Sequence, residues 1–517
     1  VSPASSPLLQ NRLEVHDRKQ FELKLEYQPS GSDAETRYLV ETYVFLPASL
    51  NIDAETYPRA NFYADIHNYV RFKTPVMSLE ELQFSDGSPL VRLEKALRAG
   101  TESEAALIHQ AKLLSCVFRG VLRRFARDVE SRCEDGHVSS NCAAMEREAV
   151  ATREGVRRIL DRFRVWAREV QRRRLQDKTC ASIRLVDEYL SLTVEQFLRK
   201  AVADMAALPR AGLSFELRKE LMDEVLREEQ YRRAHALRSV ISPTGDNEEY
   251  LHRFGFLKKF CMNILFLSAR RAQKRQGWEE VLFALAAGVA MTFASVVAFW
   301  AQVRFTEASL NFFLIMIGGY MMKDRIKEGM RRMFSQVAAR HLYDRMARIV
   351  EPVSGKCLGV CEEKVDYGRA VRVPEELVAL RFRDDLITAS QGELSETVLR
   401  YQKQVVLDVK LLPRTERGVS GITDIIRINV GRFLRDMDEP EYALEYVDLE
   451  DFSVGRVRGT KSYQVDLAFR FTVQEAGEER VSLHLARLVL DRNGIKRMVR
   501  LYPEEQPPRP QPLRSAA

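Results

Sequence analysis

From Val281 to Ala301 the chain carries 21 consecutive residues without a charge. At about 1.5 Å of rise each, a helix of that length is roughly 30 Å long, the thickness of a bilayer's hydrocarbon core. Trp278 and Trp300 stand at its two ends, where amphipathic indoles prefer the headgroup level. A second uncharged run of 15 residues follows, from Ala308 to Met322. It can span if Thr306 and Glu307 extend the helix and the Lys323 ammonium snorkels outward. The short connector from Gln302 to Glu307 favours two antiparallel helices, at about 281–301 and 306–323.

The flanking charges fit that hairpin. Arg270, Arg271, Lys274 and Arg275 precede the first run, and Lys323, Arg325, Lys327, Arg331 and Arg332 follow the second. The connector holds only Arg304. Basic residues stay on the cytoplasmic side, so both flanking regions are expected there, next to an anionic leaflet. Ala286, Ala290, Ala294 and Ala298 recur every four residues and form one small-residue face. Gly318 and Gly319 can receive that face within one chain, or the face can pack between chains. The competing readings are a hairpin buried inside a large soluble domain, and one span followed by a re-entrant segment, which would place the C-terminal part on the opposite face.

The stretch from Phe254 to Ala269 is interrupted by Lys258 and Lys259 and is too short to span. It reads as a helix lying at the interface or, alternatively, packed on the soluble domains, and the same two readings apply to the basic segment after the hairpin. Lys323 to Val350 reads as a basic juxtamembrane helix with a partial stripe of Met330, Phe334, Val337, His341 and Met346. Residues 246–350 are thus expected to form a membrane unit.

Before it, residues 1–90 are expected to contain strands. Phe21, Leu23, Leu25 and Tyr27 alternate with polar residues, and so do Tyr38, Val40, Thr42, Val44 and Leu46 after a turn at Pro29–Asp33, which predicts a β-hairpin. The aromatic stretch Tyr57–Pro75, with His67, Asn68 and Tyr69, is a candidate pocket lining. Residues 91–245 have a helical period. One seam is Leu107, Ala111, Leu114, Phe118, Val121 and Phe125, and a second is Val156, Leu160, Phe163, Ala167 and Val170. Further helices near 182–206 and 214–240 complete an antiparallel bundle. Many arginines surround the second seam, Arg153, Arg157, Arg158, Arg162 and Arg164 among them. They read as a solvated helix face bearing i, i+4 ion pairs.

After the membrane unit, residues 351–502 are expected to form an α+β domain. Tyr463, Val465, Leu467, Phe469, Phe471 and Val473 alternate, Asn493-Gly494 marks a hairpin, and a strand near 443–449 joins an antiparallel meander. Ile422–Leu434 reads as a helix packed on it. The tail 503–517 is Pro-rich. The predicted class is therefore a membrane-anchored multidomain α+β protein.

Composition narrows the chemistry. Lys plus Arg is 80 and Asp plus Glu is 73, a net +7 too diffuse to imply nucleic acid. The odd, scattered set of 7 cysteines and a polar Val1–Gln20 without a signal pattern point to reduced thiols in the cytoplasm. Cys357 with Cys361, and Cys133, His137 and Cys142, are incomplete zinc sets. Asp436, Asp438, Glu439 and Glu441 cluster without the spacing of a calcium loop. No phosphate loop or zinc-protease motif occurs, and no cofactor is expected.

The leading expectation is a multi-pass membrane protein with both termini cytoplasmic. It is a scaffold that binds cytoplasmic proteins and self-associates through its hairpin. The alternatives are a subunit of an oligomeric channel or transporter, disfavoured by spans without an internal ionisable residue, and a membrane-tethered enzyme.

Overall fold

The computed structural model describes every residue except 1–8, 28–34, 101–102, 135–137, 174, 207–214, 272–273, 305–308, 342, 353–354, 369–370, 382–395, 412–420, 448–452, 476–477 and 503–517. The chain divides into two compact units. One holds Val1–Val70, Leu267–Leu412 and Ile422–Ala517. The other holds Arg71–Phe266 and Pro413–Gly421. The class is mixed α+β, with N-terminal strands, a helical middle and a C-terminal antiparallel sheet.

The strands are β1 (Leu9–Asp17), β2 (Gln20–Tyr27), β3 (Glu35–Pro47), β4 (Ile66–Phe72), β5 (Ser268–Arg271), β6 (Arg345–Val350), β7 (Cys357–Tyr367), β8 (Glu396–Asp408), β9 (Ile422–Asn429), β10 (Glu441–Val447), β11 (Val454–Thr460), β12 (Tyr463–Glu475), β13 (Glu478–Asp491) and β14 (Gly494–Tyr502). A four-stranded sheet has the order β1-β2-β9-β4, and an eight-stranded sheet the order β14-β13-β12-β3-β8-β7-β6-β5. Tyr27 of the first stacks on Tyr38 of the second at 3.4 Å between ring centroids, so the sheets meet face to face.

The alternation at Phe21–Tyr27 and Tyr38–Leu46 does mark two strands, but they do not pair with each other. β2 lies between β1 and β9, and β3 between β8 and β12. Alternation fixes which face of a strand is buried. It does not choose the partner. The predicted turn at Pro29–Asp33 lies outside the described residues.

The expected helix at Ile422–Leu434 is instead the strand β9. Ile422, Asp424, Ile426 and Ile428 all point inward and are buried. The aspartate at an inward position broke the apolar alternation that would have revealed the strand. The basic helix expected to reach Val350 stops earlier, because Arg345–Val350 pairs as β6 with β5 and β7.

The C-terminal meander β12-β13-β14 forms as expected, whereas the strand near 443–449 does not join it. β10 pairs with β11 in a separate ribbon. In the meander's last hairpin Asp491 pairs with Gly494, so the loop residues are Arg492 and Asn493, one position earlier than the Asn-Gly reading placed them. Gly494 has φ +140°, and a Cβ there would lie 2.1 Å from the Arg18 carbonyl oxygen. The glycine is needed for that close approach.

On β13, His484 is half-buried against the edge of Phe471. Burial first, and then the Arg500 guanidinium, push its pKa down to about 4. The unfolded chain binds this proton near pH 6.5, so stability falls as pH drops from about 6.5 to about 4. After discounting for partial exposure, the loss is about 1–2 kcal/mol. Urea unfolding of wild type and His484→Gln at pH 7.5 and pH 4.5 should show the smaller acid loss in the variant. Equal losses would remove His484 as the cause.

The remaining helix at the N-terminal end of the first unit is α1 (Arg59–Asp65). The helical unit contains α2 (Leu79–Phe84), α3 (Pro89–Ala99), α4 (Glu104–Glu134), α5 (Val138–Arg172), α6 (Asp177–Ala206), α7 (Phe215–Ala234) and α8 (Glu248–Met262). Both predicted seams are buried in one core, from Leu107 to Phe125 on α4 and from Val156 to Val170 on α5. Leu257 and Cys261 of α8 lie in that core too. The Phe254–Ala269 stretch is therefore no free amphipathic helix: α8 ends at Met262, and Ser268 begins β5.

The arginines around the second seam reach across helices. Arg153 meets Glu220 at 2.8 Å, Arg162 meets Glu94 at 2.7 Å, and Arg164 joins Asp187 at 3.1 Å and Glu228 at 2.6 Å. On α7, the fully buried Arg232 is held by Glu195, Ser191 Oγ and the Ser239 carbonyl. These pairs fix how the helices dock, which the i, i+4 reading did not capture.

Candidate functional site

Two long helices of the first unit carry the uncharged runs, α9 (Lys274–Arg304) and α10 (Leu310–His341). A further short helix, α11 (Glu375–Arg381), covers Tyr43 and Phe45 of β3 on the outer face of the large sheet. At 1.5 Å per residue α9 and α10 are each about 46–48 Å long. Two contacts fix their antiparallel register. A Cβ on Gly319 would lie 2.9 Å from Val297 Cγ1, and the Arg331 guanidinium sits 4.6 Å over the Phe283 ring.

The small-residue stripe is partly covered. Ala286 and Ala290 are buried, and Ala294 and Ala298 are half-buried. Of the two glycines expected to receive it, Gly319 is in tight contact with α9 and Gly318 faces open space.

The opposite surface of the hairpin is apolar and open. Leu285, Val289, Val296, Phe299 and Trp300 of α9 are exposed, as are Phe313, Leu314, Tyr320 and Met321 of α10. Among the described residues, two helices are long and apolar enough to cross a membrane by length and composition, Glu104–Cys133 and Glu280–Arg304. Of the most apolar 18 residues of each, 61% are buried in the first, inside the helical core, and only 11% in the second. That contrast separates a core helix from one whose apolar surface faces outward.

Of the basic and indole residues expected at an interface, Arg270 and Arg271 lie on β5, opposite Arg348 and Ala347 of β6. Lys274, Arg275 and Trp278 fall in the first turns of α9, where the side chains lie outside the described residues. Trp300 is exposed near the far end of α9. Lys323 sits 3.8 Å over the Tyr320 ring, and Arg325 is exposed just beyond it.

A second constellation escaped the sequence reading. Between the two sheets, fully buried Lys403 of β8 donates to fully buried Asp424 of β9 at 2.7 Å. Burial disfavours the ammonium, but Asp424 and Glu363 outweigh it and hold the Lys403 pKa above its ordinary value. Beside this pair Tyr401 donates to Glu363 at 2.7 Å, and Asn68 donates both to Glu363 and to Tyr401, the latter at 3.0 Å.

The aromatic stretch Tyr57–Pro75 joins a neighbouring network. Tyr57 donates to Asp65 at 2.8 Å, Arg432 pairs with Asp65 at 3.0 Å, and Arg59 pairs with Asp344 at 2.9 Å. Tyr63 adds a bond to Asp344 at 3.2 Å. His67 and Tyr69 are exposed and take no part in these contacts. With Lys403 charged and Tyr401 raised by burial and by Glu363, the groups hold one another, and the arrangement is a polar pin between sheets.

Among the described residues, no group of three or more His, Cys, Asp or Glu is placed to hold a metal ion. Cys361 is buried and Cys357 exposed on β7. His137 of the Cys133–His137–Cys142 trio lies outside the described residues. The acidic cluster is spread among cations: Asp438 on Lys461, Glu439 on Arg492 and Glu441 on Arg458. No family model, curated protein or solved structure matches the chain.

Proposed function

We propose that α9 and α10 anchor this protein in a lipid bilayer, with both flanking parts on the cytoplasmic side, and that it serves there as a scaffold for other proteins. The observation that carries the reading is the open apolar surface of α9, where only 11% of the most apolar 18 residues are buried. Lipid would remove the half of that surface nearest the connector, where both helices are uncharged, from water at about 25 cal/mol per Å². The excess of basic residues on the flanks, against Arg304 alone near the tip, supports a cytoplasmic orientation beside an anionic leaflet.

The β10–β11 ribbon supports a partner-binding role. Tyr442, Leu444, Tyr446 and Val457 form one exposed apolar face, while Glu445 with Arg456 and Glu441 with Arg458 pair on the other. Isolated two-stranded ribbons are marginal in water, so a covered apolar face suits this one better than a bare one.

The test is flotation of the full chain with phosphatidylcholine/phosphatidylglycerol vesicles, followed by alkaline carbonate washing and protease digestion. The expected result is carbonate-resistant flotation with cleavage of both flanks from the outside of the vesicle. Recovery in the carbonate supernatant would overturn the anchor.

A further inference from the structure

The register of the hairpin divides it into two halves. Val297 against Gly319 and Phe283 against Arg331 place the last uncharged residue of α10, Met322, level with the middle of α9, near Phe293. Above that level both helices are uncharged, over about 18–20 Å of rise. Below it α9 stays apolar from Val281 to Thr292, while the adjoining part of α10 carries Lys323, Asp324, Arg325, Lys327, Glu328, Arg331 and Arg332. All but Lys323 are exposed.

Hydrocarbon cannot cover the lower half of α9 without also immersing these charges. Each costs about 2.5–3.5 kcal/mol near the centre of a membrane helix. Yet the lower face of α9 is open, with Val281 60%, Leu285 55% and Val289 43% exposed. Gly288 lies among them, and a Cβ there would meet nothing within 4 Å. Ala286 and Ala290 are buried, so this outward face is separate from theirs.

We infer that the outward face of α9 from Val281 to Val289 packs against the same face of a second copy of this chain. The inference rests on the membrane reading, because only there does the register deny lipid to this half. Charge selects the partner. From Lys323 to Arg332, five cations and two carboxylates leave a net positive flank on α10. A two-fold contact through α9 puts both positive flanks on the outside, away from each other and towards anionic headgroups. Packing through α10 would set them against each other. The shared strip is short, about 12–18 Å along each helix. A contact along so short a strip buries far less than the ~1,000 Å² of a stable interface in solution. Pairing therefore depends on confinement in the bilayer.

Single cysteines read this directly. Val289→Cys and Leu285→Cys, in the full chain in phosphatidylcholine/phosphatidylglycerol vesicles, should give covalent dimers with a short bis-maleimide at least five times above the wild-type thiol background. Ala290→Cys, at a buried position, should stay at background. Gly288→Leu added to Val289→Cys should cut the dimer yield several-fold. Background yields at both Val289→Cys and Leu285→Cys, in chains that still float after carbonate washing, would overturn the pairing and leave the anchor standing. Loss of flotation would instead sink the anchor.

Discussion

Lys403→Met should destabilise the first unit by about 3–5 kcal/mol, the range for removing one partner of a buried ion pair. Asp424 is fully buried, and its second carboxylate oxygen, Oδ2, has no hydrogen-bond partner among the described residues. Without the ammonium 2.7 Å away it must either remain charged in a low-dielectric interior or take up a proton. Asp424→Leu alone strands the ammonium in the same way. The double variant Lys403→Met/Asp424→Leu removes both charges and both desolvation penalties. It should recover most of the loss, and a well-packed pair can equal the wild type.

The measurement is urea unfolding of the four chains, with near-ultraviolet tyrosine signals reporting on the sandwich, because Tyr27, Tyr38 and Tyr401 surround the pair. A coupling energy near zero across the cycle would mean that the pair does not act as a unit. Denaturant midpoints, not extrapolated free energies, make the safer comparison in a chain of two units.

That ion pair also explains which parts of the fold were legible. The helical unit was readable because Leu107–Phe125 and Val156–Val170 keep one apolar face throughout, and their burial follows the pattern. β12 was readable for the same reason at period two. β9 was not, because Asp424 occupies an inward position, and β8 was missed because Lys403 does. A charge at a core position looks like a solvent position until its partner, 21 residues away in sequence, is known. The true partners of β2 and β3 were missed for a different reason. Both strands were visible, but their neighbours β9, β8 and β12 come from the other end of the chain.

The hairpin was the most legible element, because its apolar run is local and long. Its register was hidden. The uncharged runs suggested two spans side by side, the second shorter, whereas Gly319 against Val297 sets the charges of α10 beside the middle of α9.

Val296→Arg is the sharpest test of what touches the upper half of the hairpin. Val296 is 62% exposed, whereas its neighbour Val297 packs on Gly319. It lies eight residues before Arg304, so about 12 Å below the tip and inside the band where both helices are uncharged. If lipid covers this band, an arginine there costs about 2.5–3.5 kcal/mol, or roughly 100-fold in partition into vesicles. Snorkelling lowers the cost, because the guanidinium can reach several ångströms towards Arg304. Val303→Arg provides the control. It is 88% exposed beside a residue already charged, so its effect on flotation should be several-fold at most. Neither change touches the sandwich, so the tyrosine unfolding signal should be unaltered in both. Flotation of Val296→Arg equal to wild type would mean that this face does not meet hydrocarbon. The open apolar surface of α9 would then have to be covered by protein along its whole length, and the pairing inferred for its lower half would extend to the tip.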